Sequence, residues 1–496
     1  MLLLDIDRHS PIPAYRQLLN HVARLVAEGS LAPGMRLPPT RQLAAALGVH
    51  RTTVVRAYRE LCAQGVLASR PGSYTTVRRR WRDPAPGRRA PAPDESASVQ
   101  SVAPQHPARA AGAAPPAASR LRAHGALARI DFATHIPDPT LEPHRDLRRA
   151  VKRVLAGSGV ERLSQYGDAQ GEPDLRLAIA RRMARQGVAV APDEILVTAG
   201  AQHALDLILR WRIAPGNAVA IESPGYGMAL QLLRQHRARI VPVPMAAGGL
   251  DLARLERALA VHRPSLLYTM PNFHNPTGIT TSAAHREALL ALCERHRTRI
   301  VEDGFDEELD YAGPAALPIK AIDLHGVVLY LGTLSKLVYP GLRIGWIAAA
   351  RTAIAPLTAL NHVTSLGGSV LNQAVAAQLL RSTAFDVHLR RVHRTYQRRL
   401  RAMFDGLASH LPRGVAWTRP TGGYLLWLTI PDAAAHEGAI VQRLARAGVA
   451  VTPGAPLLAR RSPHAHLRLS IACVDEDAIA EGCRLLGEVL RTPNAT

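Results

Sequence analysis

Only three lysines, Lys152, Lys320 and Lys336, stand among the 61 Lys and Arg residues of this 496-residue chain. A chain that uses arginine almost everywhere for positive charge has reason to keep a primary amine where guanidinium cannot replace it, as in nucleophilic attack on a carbonyl. Lys152 lies beside Arg149 and Arg153 in an amphipathic stretch and reads as surface. Lys320 precedes AIDLHGVVLYLG in a loop with no chemistry around it. Lys336 differs. It follows the strand-like run VVLYL (327–331), inside GTLSKLVYPGLR, with hydroxyls at Thr333 and Ser335 and a guanidinium at Arg343. An amine at a strand end in that company has the makings of a cofactor pocket.

Other segments supply what such a pocket needs. After the strand-like EILV (194–197), TAGAQHALDLILR places Gly200, Ala201 and Gln202 at a helix start, where free N–H groups and the helix dipole can hold a phosphate. RIVEDGFDE puts Asp303 and Asp306 at or just past a strand end, and an acid there can pair with a pyridinium nitrogen. Asn275, in PNFHNPTG, can donate to a phenolate oxygen, and Tyr226, in ESPGYG, can stack on a ring. Each also has a plain reading alone: GAQ as a helix start, NPTG as a turn, Arg468 as a surface arginine in a closing strand. Together, in chain order, they are specific.

The elements that would carry these residues alternate between short apolar runs and helical stretches from about residue 129 to 496, which argues an α/β fold. Residues 77–128 break that periodicity with Pro, Ala and Arg and read as a flexible linker, a coil spanning roughly 40 Å. Residues 1–76 are patterned again. Apolar residues recur at helical spacing from Ala14 to Val26. Thr40 is placed to cap a short helix, 41–47, ended by Gly48. VHRTTVVRAYRELCAQG then forms a second helix with Val54, Ala57, Tyr58 and Leu61 on one face and Arg51, Thr52, Thr53, Arg56 and Arg59 elsewhere. VLASRPGSYTTV closes as a hairpin. This is the order of a winged helix-turn-helix, whose second helix enters the major groove. A helical interaction module with a solvated basic face is the alternative. The formal net charge of +22 fits a polyanion partner, and residues 1–90 hold 15 arginines against 5 acidic residues. RRRWR (78–82) reads equally as solvated charge or as added phosphate contacts. Four scattered cysteines without a CxxC pair speak against a disulfide scaffold or a cysteine-rich zinc site, and no metal site is expected. The short apolar start is no signal peptide and no 18-residue apolar run exists, so a cytoplasmic protein without membrane spans is expected.

Residues 11–76 resemble the GntR-type winged helix domain. The matching strings are Pro13-x-Tyr15-x-Gln17, PGMRLPPTRQLA (33–44), LGVHRTTV (47–54), Gly65-x-Leu67 and RPGS (70–73). The resemblance implies DNA contacts from Arg41, Arg51 and Thr53, with Thr52 and Arg56 on the same helix. Tyr74 departs from a wing turn that often has Gly. Residues 130–496 resemble the fold type I, class I/II aminotransferases through YGDAQGEPDLR (166–176), TAGAQ (198–202), ESPGY (222–226), PNFHNPTG (271–278), Glu302-Asp303, Ser335-Lys336, PGLRIG (340–345) and LRL (467–469). This implies a mostly parallel large-domain sheet and a smaller C-terminal α+β subdomain from about residue 386. It implies pyridoxal 5′-phosphate (PLP) as cofactor, held as an aldimine on Lys336. Asp303 would meet the ring nitrogen, Asn275 the ring oxygen, and Tyr226 the ring face. Ala201, Gln202, Thr333, Ser335 and Arg343 would surround the phosphate, with Tyr166 reaching it from the partner subunit, and Arg468 would meet a substrate or effector carboxylate.

A GntR-type head on this domain is similar to the MocR/PdxR regulators. That implies a head-to-tail homodimer on double-stranded promoter DNA, modulated by PLP with or without an amino-acid or amine effector, with RNA polymerase as a further partner. A working aminotransferase with a DNA-binding appendage is the second reading, and a structural protein with both sites vestigial the third. Two departures matter. Phe305 stands where this family commonly has a Tyr that donates to the cofactor's ring oxygen. Its absence is expected to raise the pKa read from the bound cofactor. Met228 stands near where GABA-responsive relatives place Arg, which argues against GABA.

Overall fold

The computed structural model describes residues 14–27, 31–32, 35, 37–63, 66–69, 75–77, 129–157, 159–311 and 316–491. The wing turn at Tyr74, the basic run 78–82 and the expected linker from residue 78 to 128 lie outside the described residues.

The first block is three helices and a hairpin: α1 (Ala14–Ala27), α2 (Thr40–Leu47), α3 (Arg51–Ala63), β1 (Leu67–Ser69) and β2 (Thr75–Val77). The strands are antiparallel, with Leu67 opposite Val77. Leu18, Val22, Leu43, Val54, Leu61 and Leu67 form one core, so the apolar face read on α3 is the buried one. One detail differs from expectation. Thr40 is not a cap: Pro39 holds the N-cap position with φ −54°, and no side chain caps the helix. Proline's fixed φ and extended preference set the entry instead. Gly48 does end α2, in the left-handed region at φ 62°, sending its N–H back to Ala44 and Ala45. The hairpin runs through Val77, one residue past the expected boundary.

The large block begins with β3 (Ile130–Asp131). Its main sheet is built from β4 (Ile195–Thr198), β5 (Ala218–Ser223), β6 (Arg239–Ala246), β7 (Gly249–Leu250), β8 (Leu266–Thr269), β9 (Arg299–Asp303), β10 (Val328–Thr333) and β11 (Gly345–Ala348). The spatial order is β4-β11-β10-β9-β8-β5-β6-β7. The central strands β10, β9, β8, β5 and β6 are mutually parallel, and β11 runs antiparallel to both its neighbours. Strands β4, β8, β10 and β11 are buried at every position, as expected for a sheet covered on both faces.

A second sheet is antiparallel, ordered β12 (Ala416–Trp417), β13 (Leu425–Ile430), β16 (Ala465–Ser470), β15 (Thr452–Pro453). The remaining strand, β14 (Val449–Ala450), pairs parallel with β3, so the start of the block joins its C-terminal part. The helix Thr383–His410 leads into that part and begins three residues before the expected boundary at 386, with the Ser382 hydroxyl accepting from the Phe385 N–H.

A buried ion pair fixes this junction. Arg399, in the long helix, donates to Asp138 Oδ2 at 2.5 Å and to the Ala472 carbonyl at 2.6 Å, and both charged side chains are 7% exposed. Burial opposes the Asp138 charge, but the bonds from Arg399 and Thr140 hold its carboxyl below the usual range. Arg399→Leu would leave that carboxylate buried and unpaired and is expected to cost about 3–5 kcal/mol of stability at neutral pH. A lowered urea midpoint checks this. Because the Asp138 pKa is depressed in the folded chain, the wild type loses this contribution as pH falls through that depressed value, and the gap to the variant narrows in acid.

Candidate active site

The predicted residues gather just past the C-terminal ends of the parallel strands, where open α/β sheets bind ligands. Thr198 ends β4 ahead of Gly200–Gln202, Ser223 ends β5 ahead of Tyr226, and Thr269 ends β8 ahead of Asn275. Asp303 ends β9, and Thr333 ends β10 three residues before Lys336. Glu222 secures the loop after β8. It accepts from the Thr269 hydroxyl at 2.5 Å and the Met270 N–H at 3.0 Å, and lies 3.2 Å from His274.

Lys336 is half-buried, and its Nζ donates to the His135 carbonyl at 2.8 Å. Burial lowers its pKa, helped by Arg468 and Arg343 and opposed by Asp306 and Asp303. Asp303 is 4% exposed. Its Oδ2 accepts from the Tyr268 hydroxyl at 2.6 Å, while its Oδ1 is buried with no partner. Burial pushes this carboxyl up to about 6, against the Tyr268 bond. An unpartnered buried carboxylate oxygen is costly unless something charged is meant to meet it.

Arg468, on β16, is 4% exposed and reaches four neutral acceptors: Asn275 Oδ1 (3.1 Å), the Ala133 carbonyl (3.3 Å), His135 Nδ1 (3.1 Å) and Thr452 Oγ1 (3.1 Å). No carboxylate neutralises it among the described residues, its Nε has no partner, and burial lowers it to about 10. A buried guanidinium without an anion is a ready site for a ligand carboxylate. Since Asn275 gives its oxygen to Arg468, its amide nitrogen is left to donate. Tyr226 is half-buried just before the helix Gly227–Gln235, its hydroxyl pushed up to about 12 by burial.

The helix Ala201–Arg212 starts without a side-chain cap, so Ala201 and Gln202 lie in a first turn with unclaimed N–H groups. Gly200 precedes it at φ 100°, and a Cβ there would lie 2.5 Å from an Arg343 nitrogen. Glycine therefore lets Arg343 lie across the helix start, where it bonds the Ala199 carbonyl at 2.7 Å. The Thr333 and Ser335 hydroxyls bond each other at 3.1 Å on the same side. These donors, the amine and the orphaned carboxylate oxygen fit the phosphate, carbonyl and ring nitrogen of PLP. Tyr166 is not part of this cluster through any bond of its own chain. It stands 84% exposed, more than any other large hydrophobic side chain described, and is open to a second molecule.

Three participants escaped the sequence. His135 touches both Lys336 and Arg468, and burial with those two cations keeps its imidazole neutral. Tyr268 braces Asp303 from the neighbouring strand. Tyr424 donates to the His135 carbonyl at 3.3 Å. Asp306, noted beside Asp303, is 1% exposed, and burial raises its pKa against the nearby Lys336 charge and the Tyr424 hydroxyl. Phe305 is 7% exposed in the core. Phe305→Tyr is expected to lower the pH at which the visible band of PLP-loaded protein titrates, because an added donor favours the ring phenolate. An unchanged or higher midpoint counts against it.

In the head, α3 presents Arg51 and Thr52 exposed and Thr53 half-buried. His50 Nδ1 lies 2.7 Å from the Thr52 hydroxyl at the helix start. Arg56 is exposed but already engaged: its guanidinium lies 3.8 Å over the Tyr15 ring and its Nε meets Glu60 at 3.3 Å. Arg41 is on α2, and its side chain lies outside the described atoms. Among the described residues no helix is long and apolar enough to cross a membrane.

The family model for class I and II aminotransferases matches residues 136–486, and that for bacterial regulatory proteins of the gntR family matches residues 14–77. The chain is 31% identical over 490 residues to the probable rhizopine catabolism regulatory protein MocR of Rhizobium meliloti, covering 98% of this chain and 95% of that protein. It is 34% identical over 368 residues to aromatic-amino-acid aminotransferase 1 of Thermococcus litoralis, covering 73% and 88%. A crystal structure of kynurenine aminotransferase from Pyrococcus horikoshii superposes with a TM-score of 0.73 at 31% identity, over 77% of this chain and 95% of that one. The chain therefore belongs to the class I and II aminotransferase family, and carries that fold type I domain behind a GntR-family winged helix, the architecture of the MocR-type regulators.

Proposed function

We propose that the chain is a DNA-binding transcriptional regulator that carries PLP on Lys336. PLP, with or without an amino-acid or amine effector, sets how its winged heads hold promoter DNA. The reading rests on one combination: a head with an exposed recognition-helix start, joined to a pocket that keeps an amine, an unpartnered acid and an anion-free arginine. Residues 1–76 would be the head, 77–128 the linker and 129–496 the sensing domain, in a cytoplasmic head-to-tail homodimer whose Tyr166 side chains complete the partner's phosphate site.

Bound PLP supplies an electron-withdrawing ring conjugated to the amine it holds. The chain's own residues do the rest. Burial keeps the Lys336 amine less basic and so closer to its nucleophilic form. Asp303 takes the ring nitrogen's charge, Asn275 donates to the ring oxygen, and Tyr226 covers a ring face. Ala201, Gln202, Thr333, Ser335 and Arg343 hold the phosphate, and Arg468 turns a ligand carboxylate inward. An electrophoretic shift on the DNA upstream of the gene, titrated with and without PLP, tests the switch. Retardation or complex mobility that responds to PLP supports it, and DNA complexes identical in both arms, in affinity and mobility, count against it.

The second reading is a turning-over aminotransferase. The observation in its favour is identity: the aminotransferase of Thermococcus litoralis matches at 34%, no lower than the 31% of the Rhizobium meliloti protein. Multiple turnover between an amino donor and a keto acceptor, without retention on operator DNA, would establish it.

A further inference from the structure

Residues 91–496 carry the remaining +12 of the net charge, after the +10 of residues 1–90. Part of that remainder is gathered at one place. At the end of the main sheet where β6, β8 and β9 begin, the entering loops hold Arg237, Arg263 and Arg297, each with positive φ of 53°, 43° and 54°. Glycine is the easy residue for that backbone, yet each position has an exposed arginine. Arg212 ends the helix Ala201–Arg212 beside them. A cleft of about 600 Å³ opens here, lined by Arg212, Arg263, Ser265, Arg295, His296 and Arg297 among others, and no lining residue is acidic.

Of these arginines, Arg295 meets Glu256 at 2.8 Å, and no carboxylate pairs with Arg212, Arg263 or Arg297 among the described residues. Burial and then repulsion from Arg212 lower the pKa of neighbouring Arg299, so the charges crowd one another. Basic residues at helix C-termini are often there for the helix dipole. Arg212 shares that role with Arg210, and Arg234, His262 and Arg295 fill it in their helices, whereas Arg237, Arg263 and Arg297 lie at or past the helix ends. The cleft lies at the opposite end of the strands from Lys336, about 15 Å away along β9, so it is separate from the PLP pocket.

We propose that this cleft grips the phosphate backbone of DNA flanking the operator, making the aminotransferase-like domain a second DNA-contacting body. Planar guanidinium forks suit phosphate oxygens, and a groove in which three of four arginines have no carboxylate partner among the described residues and no lining residue is acidic suits a continuous polyanion. This rests on the DNA-binding reading above but adds a site outside the winged heads.

The test uses the full-length PLP-loaded chain and two duplexes from upstream of the gene, one just long enough for the heads and one extended at both ends. The variant combines Arg212→Gln, Arg263→Gly and Arg297→Gly, since glycine suits the left-handed backbone and spares the fold. On the extended duplex, the slope of log K against log salt is expected to fall by about two to three, near 0.9 per lost phosphate contact. A control with the same charge change at scattered exposed sites, Arg401, Arg413 and Arg461, all to Gln, is expected to shift it by less than about one. The wild type should prefer the extended duplex and the variant should not. Equal slopes in wild type and variant, or no preference by the wild type for the longer duplex, would overturn the proposal. If the wild type binds neither duplex and Arg51→Ala changes nothing, the DNA-binding reading itself falls, and this one with it.

Discussion

Lys336→Arg is expected to abolish borohydride-trappable attachment of PLP while leaving the fold intact. Guanidinium keeps the positive charge at the site, so Asp303 and Asp306 retain a cation nearby, but it cannot condense with an aldehyde. The scarcity of lysine makes the experiment clean. Lys152 is exposed on the helix His144–Ala156, and Lys320 has its Nζ held by Asp323 at 3.0 Å and the Val328 carbonyl at 3.1 Å. After reduction and digestion, the wild type should carry the label on the Lys336 peptide alone. Lys152→Arg should keep that label in full and Lys336→Arg should lose it. A wild-type label spread over several peptides would remove Lys336 from its role.

The features legible in the sequence were those encoded within a few consecutive residues. A strand followed by Gly200, Ala201 and Gln202, or by Ser335 and Lys336, is one local backbone event, and its type and place could be read from one string. Convergence was less legible. Lys336 is 201 residues from His135, yet its nitrogen rests on that residue's carbonyl. The contact follows from β3 pairing with β14 and from Arg399 holding Asp138, neither of which leaves a periodic signal. Strand order had the same effect. Tyr268 reaches Asp303 because β8 and β9 are parallel neighbours, and Gly200 is brought beside Arg343 because β11 inserts between β4 and β10. The misplaced cap at Thr40 had a different cause. Ser and Thr are good N-caps, but the proline before Thr40 already fixes the extended entry, so the helix starts one residue earlier than the hydroxyl rule suggests.

Asp303 gives the site its pH dependence. Burial holds its carboxyl near 6, although Tyr268 donates to one oxygen and the charge of Lys336 acts against the rise. A protonated ring nitrogen can pair with the free Oδ1 only after the acid has lost its proton. In the wild type, PLP affinity is therefore expected to fall by up to about tenfold per pH unit as pH drops below about 6. Asp303→Asn should make that fall shallower, because an amide does not titrate there while the cofactor phosphate, with a second pKa of about 6, still does. At pH 7.5 it should also weaken PLP binding by about 3–5 kcal/mol, the cost of removing one partner of a buried ion pair, or roughly two orders of magnitude or more. Equilibrium titration by fluorescence quenching across pH, with Lys336→Arg as background, isolates this pairing from the covalent step. A variant that matches the wild type in both affinity and pH profile would mean that Asp303 does not face the ring nitrogen. The unpartnered Oδ1 would then need another cation, and the amine of Lys336, whose pKa already reflects Asp303, is the nearest candidate.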